Sequence, residues 1–307
     1  MLAAARSAVH ELHQRPALLL TLTTLFWAGN AIAGQLARGE ITPLQLVLAR
    51  WAAVTLLLWP LFGRQVAAHW QVIRPRMPRI ALMAIAGFTG FNILFYFASL
   101  ETSAVNVGIL QGAVPVFVML GAFLAHGARV TALQAVGVAV TLVGVVLVAT
   151  RGAPWAVLET ELNRGDLLML VACVLYSGYA VMLVGRPPVP GVVFFTLMAP
   201  IAALAAVPPA LAEAFSEGYR LPTAEGWLIV AYVALFPSCL AQLFFLRGVD
   251  LIGPGRAGVY TNLVPVFAAA LAVGLLGQEF AAYHALAMVA VIGGIALAQH
   301  APRLSAG

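Results

Sequence analysis

Ten long apolar segments, separated by short polar connections, run through the whole of this sequence. A helix needs about 20 apolar residues to cross the hydrocarbon core of a bilayer, and each segment is close to that length. The pattern disfavours a transmembrane β-barrel, because the strands of a barrel alternate apolar and polar residues over about ten positions. The segments are residues 17–37, 43–62, 79–98, 103–124, 131–150, 165–185, 191–211, 226–246, 254–276 and 280–300. They predict an all-α integral membrane protein with ten transmembrane helices.

The composition excludes a soluble enzyme of this size. Hydrophobic residues make up 63% of the chain and charged residues 9%, whereas a soluble domain is roughly half apolar and a quarter charged. So few charged side chains cannot cover the surface of a soluble core. The longest connections, 63–78, 151–164 and 212–225, are too short to form a domain outside the membrane. We therefore expect no active site in the connections.

The arginines are sorted by side of the membrane, and the chain contains no lysine. With a cytoplasmic N-terminus, eleven arginines fall on the cytoplasmic side and four outside, the bias expected of short cytoplasmic loops. The cytoplasmic ones are Arg6, Arg15, Arg64, Arg74, Arg76, Arg79, Arg129, Arg186, Arg247, Arg256 and Arg303; the others are Arg38, Arg151, Arg164 and Arg220. Orientation therefore explains the net charge of +5, and no nucleic-acid partner is expected.

The same bias places both chain termini in the cytoplasm. Residues 1–16 form the cytoplasmic N-terminal segment and residues 301–307 a cytoplasmic tail. The abundance of Ala and Arg is typical of a GC-rich bacterial genome. We therefore expect a multi-pass protein of the bacterial inner (plasma) membrane.

An internal repeat divides the chain into two units. Shifting the sequence by 150 residues aligns Val114-Pro115-Val116-Phe117 with Val264-Pro265-Val266-Phe267 without a gap. The units, 17–150 and 165–300, hold five spans each, and because five is odd the second unit must enter the membrane from the opposite side. Two inverted repeats are a transporter architecture, in which the substrate site lies near the midplane between the repeats.

Small and aromatic residues predict how the spans pack. Gly108, which aligns with Gly258, forms a GxxxG step with Gly112 and indicates close contact between the fourth span and another helix. Most tryptophans lie near predicted span boundaries and are interpreted as interface anchors. This group comprises Trp51, within the second span, and Trp59, Trp70, Trp155 and Trp227.

Several motifs resemble those of a known family. They are Phe26-Trp27-Ala28-Gly29-Asn30, the Pro-Val-Phe segments at Pro115 and Pro265, and Leu276-Gly277-Gln278-Glu279. The chain resembles the drug/metabolite transporter superfamily and, within it, the ten-helix EamA-type bacterial exporters, with YddG-like aromatic amino acid exporters as the nearest subgroup. This resemblance implies export of amino acids, related metabolites or drugs.

One position departs from that family pattern. The family usually has an acidic Gly-Glu step after both the fourth and the ninth spans, whereas the fourth span here ends in His126-Gly127-Ala128-Arg129. A role that requires two symmetric acids is therefore not expected.

Arg50 is the one charged residue well inside a predicted span, roughly 10 Å along the second helix at 1.5 Å per residue. Its planar guanidinium could face a central cavity and bind a substrate carboxylate. Alternatively, it could extend to the outer interface or bond to backbone carbonyls of a neighbouring helix. The residues leave both interpretations open.

A set of aromatic and amide side chains lies near the middle of the predicted spans. Together they could line a cavity that holds an apolar or aromatic substrate side chain, although each one could instead form hydrogen bonds between helices. The set consists of Trp27, Asn30, Asn92, Tyr96, Tyr176, Tyr179, Gln242, Tyr260 and Asn262.

Pro115 and Pro265 lie at equivalent places in the fourth and ninth spans. A proline has no N–H, so each one frees the carbonyl four residues earlier, which belongs to Gln111 and Thr261 respectively. These carbonyls could accept hydrogen bonds from a substrate ammonium. The prolines could also act only as kinks, which are suitable places for a gate to bend.

The sequence contains few candidate residues for energy coupling or metal binding. No acidic residue lies in the middle of a span, so Glu279 and His284, beside the start of the tenth span, are the candidates for a titrating switch. Solvation at a helix end is the simpler explanation for both. Cys173 and Cys239 have neither metal-site nor redox-pair spacing, and no cofactor or metal is expected.

These observations predict an exporter of amino acids and related small metabolites that works by alternating access. The partners expected are a small-molecule substrate and membrane lipid, with a monomer as the default state. A nucleotide-sugar or organophosphate exchanger on the same fold is the first alternative, but phosphate recognition normally uses several cations. A membrane-embedded enzyme and a structural scaffold are the remaining alternatives.

Overall fold

The computed structural model describes residues 14–127, 131–153, 155, 163–217, 220–253, 257–258 and 260–300, and the regular structure within these ranges is helical. We number the helices α1 to α10 by span. They are α1 Pro16–Leu36, α2 Pro43–Ala68, α3 Trp70–Glu101, α4 Ala104–Gln111 with Val114–His126, α5 Ala132–Ala149, α6 Arg164–Gly185, α7 Gly191–Glu217, α8 Ala224–Ile252, α9 Tyr260–Leu276 and α10 Ala282–His300.

The predicted all-α membrane fold with ten spans is confirmed. By length and composition, α1 to α8 can each cross a bilayer, and the apolar stretches Tyr260–Leu276 and Ala282–Ala298 are somewhat shorter. Three helices run six residues past their predicted ends: α2 continues from 62 to Ala68, α7 from 211 to Glu217 and α8 from 246 to Ile252. The residues in these extensions are compatible with a helix, so each helix continues beyond the end of its apolar run.

Local chemistry explains where the helices begin and end. Five helices start after a Thr, Ser or Asn side chain that accepts a hydrogen bond from a free backbone N–H of the first turn. These residues are Thr42, Ser103, Thr131, Asn163 and Thr223. Gly127 and Gly277 end α4 and α9 in the left-handed region, with φ of 61° and 62°, a conformation in which glycine has no steric penalty.

The main helix pairs join one half of the chain to the other. Helix α1 packs on α8 and α9, and α6 packs in the same way on α3 and α4. The remaining large pairs are α2 with α7, α4 with α9 and α5 with α10. Exchanging the two halves leaves this set of pairs unchanged, so the core is shared between two structurally equivalent units.

Both halves contain a π-helical turn at the same place in the repeat. These wide turns are Ile85–Gly90 in α3 and Ala234–Leu240 in α8, about 150 residues apart. In α8 the turn contains Pro237. Single π-turns inside α-helices are frequently found at functional sites.

The fourth and ninth spans are interrupted near their prolines. In α4 the first segment ends at Gln111 and the second begins at Val114, which places Pro115 in a first turn where its missing N–H costs nothing. In α9 a 3₁₀ turn, Tyr260–Asn262, precedes the α-helix that contains Pro265. The prolines therefore begin new helical segments and do not bend continuous helices.

Candidate functional site

A cavity of about 180 Å³ lies among α1, α2, α3, α4, α6, α7, α8 and α9. Aromatic rings form much of its wall, and amide, hydroxyl and guanidinium groups face it at a few points. Eight of the eleven candidate binding residues line it, together with Pro115. The eight are Trp27, Asn30, Arg50, Asn92, Gln111, Tyr176, Gln242 and Asn262.

Arg50 lies two turns into α2, and its side chain is only 5% exposed. Its Nε donates to Ser238 Oγ at 2.7 Å. Its Nη1 lies 2.7 Å from Asn92 Oδ1, 2.7 Å from Tyr96 OH and 3.1 Å from Asn30 Oδ1. These contacts hold the guanidinium inside the helix bundle, so Arg50 does not extend to the membrane interface.

The charge on Arg50 is balanced by neutral dipoles. Within the described part of the chain no carboxylate forms an ion pair with Arg50, and Nη2 has no hydrogen-bond acceptor. A buried cation is costly unless it is paired and hydrogen-bonded. Four neutral oxygens reduce that cost, and the site keeps its positive charge and its unused Nη2 donors for an anion.

The acceptors around Arg50 are held in place by bonds of their own. Tyr96 donates to Asn30 Oδ1 at 2.9 Å, and the Asn92 amide donates to the Phe88 carbonyl. Ser238 donates to the Val233 carbonyl, five residues earlier, at 2.6 Å. This i−5 contact lies in the π-helical turn of α8, and the turn therefore positions the hydroxyl that binds Arg50.

Trp51 and two phenylalanines form an aromatic wall next to the guanidinium. The ring of Trp51 stacks on Phe88 with centroids 4.6 Å apart and planes 5° apart, and Phe195 approaches both rings edge-on. The Arg50 Cζ atom lies 5.3 Å from the Trp51 ring centroid, within cation–π distance. The wall therefore stacks against the cation and gives the cavity a flat apolar face.

Two amide oxygens at the interrupted helices have no hydrogen-bond partner. Gln111 Oε1 and Asn262 Oδ1 are buried and unpaired, and both residues line the cavity. They lie at nearly equivalent positions in the repeat, at the break in α4 and in the 3₁₀ turn of α9. Oxygen acceptors of this kind suit a ligand that carries N–H donors.

The remaining candidate residues lie outside the cavity lining. Tyr96 is buried behind Arg50, and Tyr179 packs against Gly87 and the ring of Phe88. Tyr260 is in the 3₁₀ turn without lining the cavity, and Pro265 packs against Gly112. These four residues therefore do not form part of the cavity wall.

The family assignment follows from comparison with known proteins. The model of the EamA-like transporter family matches residues 14–150 and, a second time, residues 163–299. The chain belongs to the EamA-like transporter family. It is a multi-pass membrane transporter with two copies of the family unit, and the resemblance to the drug/metabolite transporter superfamily is confirmed.

Relatives of the transporter have the same general description. YetK, an uncharacterized transporter of Bacillus subtilis, is 27% identical over 222 residues, 70% of this chain and 67% of its own length. An uncharacterized transporter of Archaeoglobus fulgidus is 27% identical over 91% of this chain and 96% of its own. A probable terminal-alkyne amino-acid exporter of Streptantibioticus cattleyicolor is 25% identical over 85% of each chain. The family and these relatives are transporters, so the transporter is not an enzyme.

One solved crystal structure has the same fold. It aligns with a TM-score of 0.63 at 20% identity over 92% of this chain and 96% of that chain. At this identity the likeness concerns the arrangement of helices alone.

Four important residues of the transporter's cavity were missed by sequence reasoning. Trp51 was interpreted as one of the mostly interfacial tryptophans, but its side chain is 3% exposed and lines the cavity. Its neighbour Arg50 was the available signal, because a tryptophan beside a buried cation is well placed for stacking. Phe88, Phe195 and Ser238 have no signal that separates them from ordinary core residues of a membrane helix.

The two candidates for a titrating switch lie away from the cavity. Glu279 is exposed in the connection between α9 and α10. His284 is buried, and its Nδ1 accepts from the Ala281 N–H at 3.0 Å, so its Nε2 carries the proton toward Asn106 Oδ1 at 3.2 Å. Neither side chain reaches Arg50 or the aromatic wall.

His284 belongs to a polar cluster that links both halves of the chain. The Asn106 amide lies 3.4 Å from Asp166 Oδ1, and Thr102 donates to the same oxygen at 2.7 Å. Asp166 is in the first turn of α6, where a carboxylate is stabilised by the positive end of the helix. The cluster therefore joins the starts of α4, α6 and α10, and its acid, Asp166, is buried.

Proposed function

We propose that this transporter exports amino acids, including aromatic ones, and related small metabolites by alternating access through the cavity between its two halves. The observation that carries the proposal is the buried guanidinium of Arg50, which faces an aromatic cavity with unused donors and has no carboxylate partner in the described part of the chain. A substrate carboxylate would supply the missing anion.

The other parts of an amino acid have matching groups in the same cavity. The backbone carbonyls of Gln111 and Thr261, or nearby amide oxygens, would accept hydrogen bonds from the ammonium. The rings of Trp27 and Tyr176 would contact an apolar or aromatic side chain. The lining has one cation, Arg50, among the described residues, which disfavours the phosphate groups of a nucleotide sugar.

The name of one relative supports the substrate class. The Streptantibioticus cattleyicolor protein, which aligns over 85% of this chain, is described as a probable amino-acid exporter. We extend that class to this chain as a proposal, because the cavity chemistry described above is compatible with it.

Alternating access would use the repeat. We propose that units 17–150 and 165–300 are inverted in a bacterial inner membrane, with both termini in the cytoplasm and the chain acting as a monomer. The breaks near Pro115 and Pro265 would be the places where α4 and α9 bend. Export down a gradient or exchange needs no titrating group, whereas proton antiport would use Glu279 or His284.

Counterflow in proteoliposomes tests the proposal. Purified protein is reconstituted into vesicles loaded with unlabelled L-phenylalanine, and uptake of labelled L-phenylalanine is followed. We expect accumulation that depends on the protein. No movement of any amino acid across a panel would overturn the proposed function.

Replacing Arg50 by Ala tests the carboxylate assignment. Because a hydrogen-bonded charge pair is lost, we expect R50A to weaken competition by L-phenylalanine by about tenfold or more. Competition by phenethylamine, which has no carboxylate, should change little. The control is R64A, since Arg64 is an exposed residue on the same helix. Equal effects of R50A on both compounds would refute the assignment.

A further inference from the structure

The buried unpaired polar atoms of the described residues are concentrated at one place. Three such side-chain atoms lack any hydrogen-bond partner: Trp51 Nε1, Gln111 Oε1 and Asn262 Oδ1. All three residues line the same cavity. Unpaired buried groups are rare in folded proteins and call for an explanation, and their concentration in one cavity indicates a ligand that supplies the missing partners.

The three atoms differ in chemistry and in position. Trp51 Nε1 can only donate, whereas the two amide oxygens can only accept. Trp51 follows Arg50 in α2, and the Arg50 Cζ lies 5.3 Å from the indole centroid. The unused Nη2 donors of Arg50 and the indole N–H are therefore on the same helix turn, while the two acceptors belong to α4 and α9.

The ring of Trp51 cannot easily turn its N–H toward another acceptor. It is 3% exposed and is stacked on Phe88, with Phe195 at its edge. A ring that is fixed in this way is pre-organised, so a ligand that bonds to it loses little side-chain freedom of the protein.

We infer that Trp51 Nε1 is a second donor to the substrate carboxylate, next to Arg50, and that the cavity selects zwitterions whose ammonium is bound by Gln111 Oε1 and Asn262 Oδ1. The inference rests on the proposed function, which it makes more specific. A carboxylate has two oxygens and can accept from the guanidinium and the indole at once. An amine lacks this group, and a simple carboxylic acid lacks the ammonium that the two amide oxygens require.

A sulfur isostere at position 51 tests the indole donor. Trp51 is replaced by β-(3-benzothienyl)alanine, which keeps the size of the ring and has no N–H. Competition against labelled L-phenylalanine counterflow is measured with L-phenylalanine, phenethylamine and 3-phenylpropionate. We expect the wild type to favour L-phenylalanine over both analogues, and the isostere to raise the half-competing concentration of L-phenylalanine by about tenfold without changing that of phenethylamine.

The same replacement at Trp59 is the matched control, because Trp59 is on α2 with a ring that is 44% exposed. The inference is overturned if the isostere at 51 leaves L-phenylalanine competition unchanged. It is also overturned if L-phenylalanine and phenethylamine weaken equally, since that would indicate lost packing. These outcomes differ from failure of the proposed function, in which the wild type moves no amino acid.

Replacing both amide acceptors tests the other end of the ligand. In the double variant Gln111→Leu and Asn262→Leu, competition by L-phenylalanine should weaken and competition by 3-phenylpropionate should not, because the acid has no ammonium to lose. A double variant in which both compounds weaken equally would overturn the ammonium assignment.

Discussion

Tyr96 lies directly behind Arg50 and connects it to α1. Its hydroxyl accepts from Arg50 Nη1 at 2.7 Å and donates to Asn30 Oδ1 at 2.9 Å. The residue is fully enclosed, at 1% exposure, and does not line the cavity. At the scale of single residues, the site therefore has two layers: groups that face the cavity, and groups such as Tyr96 that fix their direction.

Removal of the Tyr96 hydroxyl should destabilise the protein. In Tyr96→Phe the guanidinium loses an acceptor and Asn30 loses a donor, a cost of about 1–3 kcal/mol for buried groups left without partners. We expect a lower melting temperature of the purified protein in detergent. Tyr260→Phe is the control, because no hydrogen bond joins the Tyr260 hydroxyl to a described residue. Equal melting temperatures for the two variants would contradict a supporting role for Tyr96.

At the scale of helices, α4 and α9 approach each other closely because glycine permits it. A Cβ atom at Gly108 would overlap the Cβ of Ala268 in α9, and one at Gly112 would press on Val291 in α10 and touch the Pro265 ring at ordinary contact distance. The GxxxG prediction for the fourth span is thus confirmed. This contact joins the two interrupted helices beside the cavity.

Gly108 and Gly258 offer a matched test of that contact, since they occupy the same place in the two repeat units. Among the residues that the structure describes, none lies within 4 Å of a Cβ at Gly258, whereas a Cβ at Gly108 would require α4 and α9 to separate. We therefore expect Gly108→Ala to lower the melting temperature, by the equivalent of about 1–3 kcal/mol for overpacking, and Gly258→Ala to be tolerated. Two variants of equal stability would contradict the close approach.

At the scale of the whole molecule, helices of each half pack mainly against helices of the other half. The pairs α1 with α8 and α6 with α3 are equivalent under exchange of the halves, and so are α1 with α9 and α6 with α4. Neither half buries its own apolar surface alone. Such an arrangement allows one set of contacts to loosen while its equivalent tightens, which is the physical requirement of alternating access.

Accessibility of single cysteines tests the proposed orientation. Glu225 and Arg186 are both exposed, and because the single span α7 separates them along the chain they are predicted on opposite sides of the membrane. The native Cys173 and Cys239 are buried. In intact cells we expect a membrane-impermeant maleimide to label E225C, and to label R186C only after the membrane is permeabilised. The unmodified protein serves as the control for background labelling. Labelling of R186C alone in intact cells would show the opposite orientation.

Much of the fold was predictable because the bilayer imposes a simple rule. Every backbone polar group in hydrocarbon must be satisfied within its own helix, so apolar runs of sufficient length identify the spans. The bilayer also made Arg50 a candidate binding residue, because an ionised side chain inside a span is costly and rare. The failure was at Trp51, because tryptophan is also common at the membrane interface.

The amino-acid sequence by itself determined the membrane class, the ten spans, the two units and one buried cation, because hydropathy, repetition and charge are properties of the chain read in order. Only the tertiary structure decided that Arg50 is met by Asn30, Asn92, Tyr96 and Ser238, which come from three other helices. It also decided that Trp51 lies in the cavity wall. The contacts of Arg50 and the position of Trp51 both depend on where side chains point after the helices pack. Because all faces of an apolar helix have similar compositions, packing against the neighbouring helices determines which face points inward.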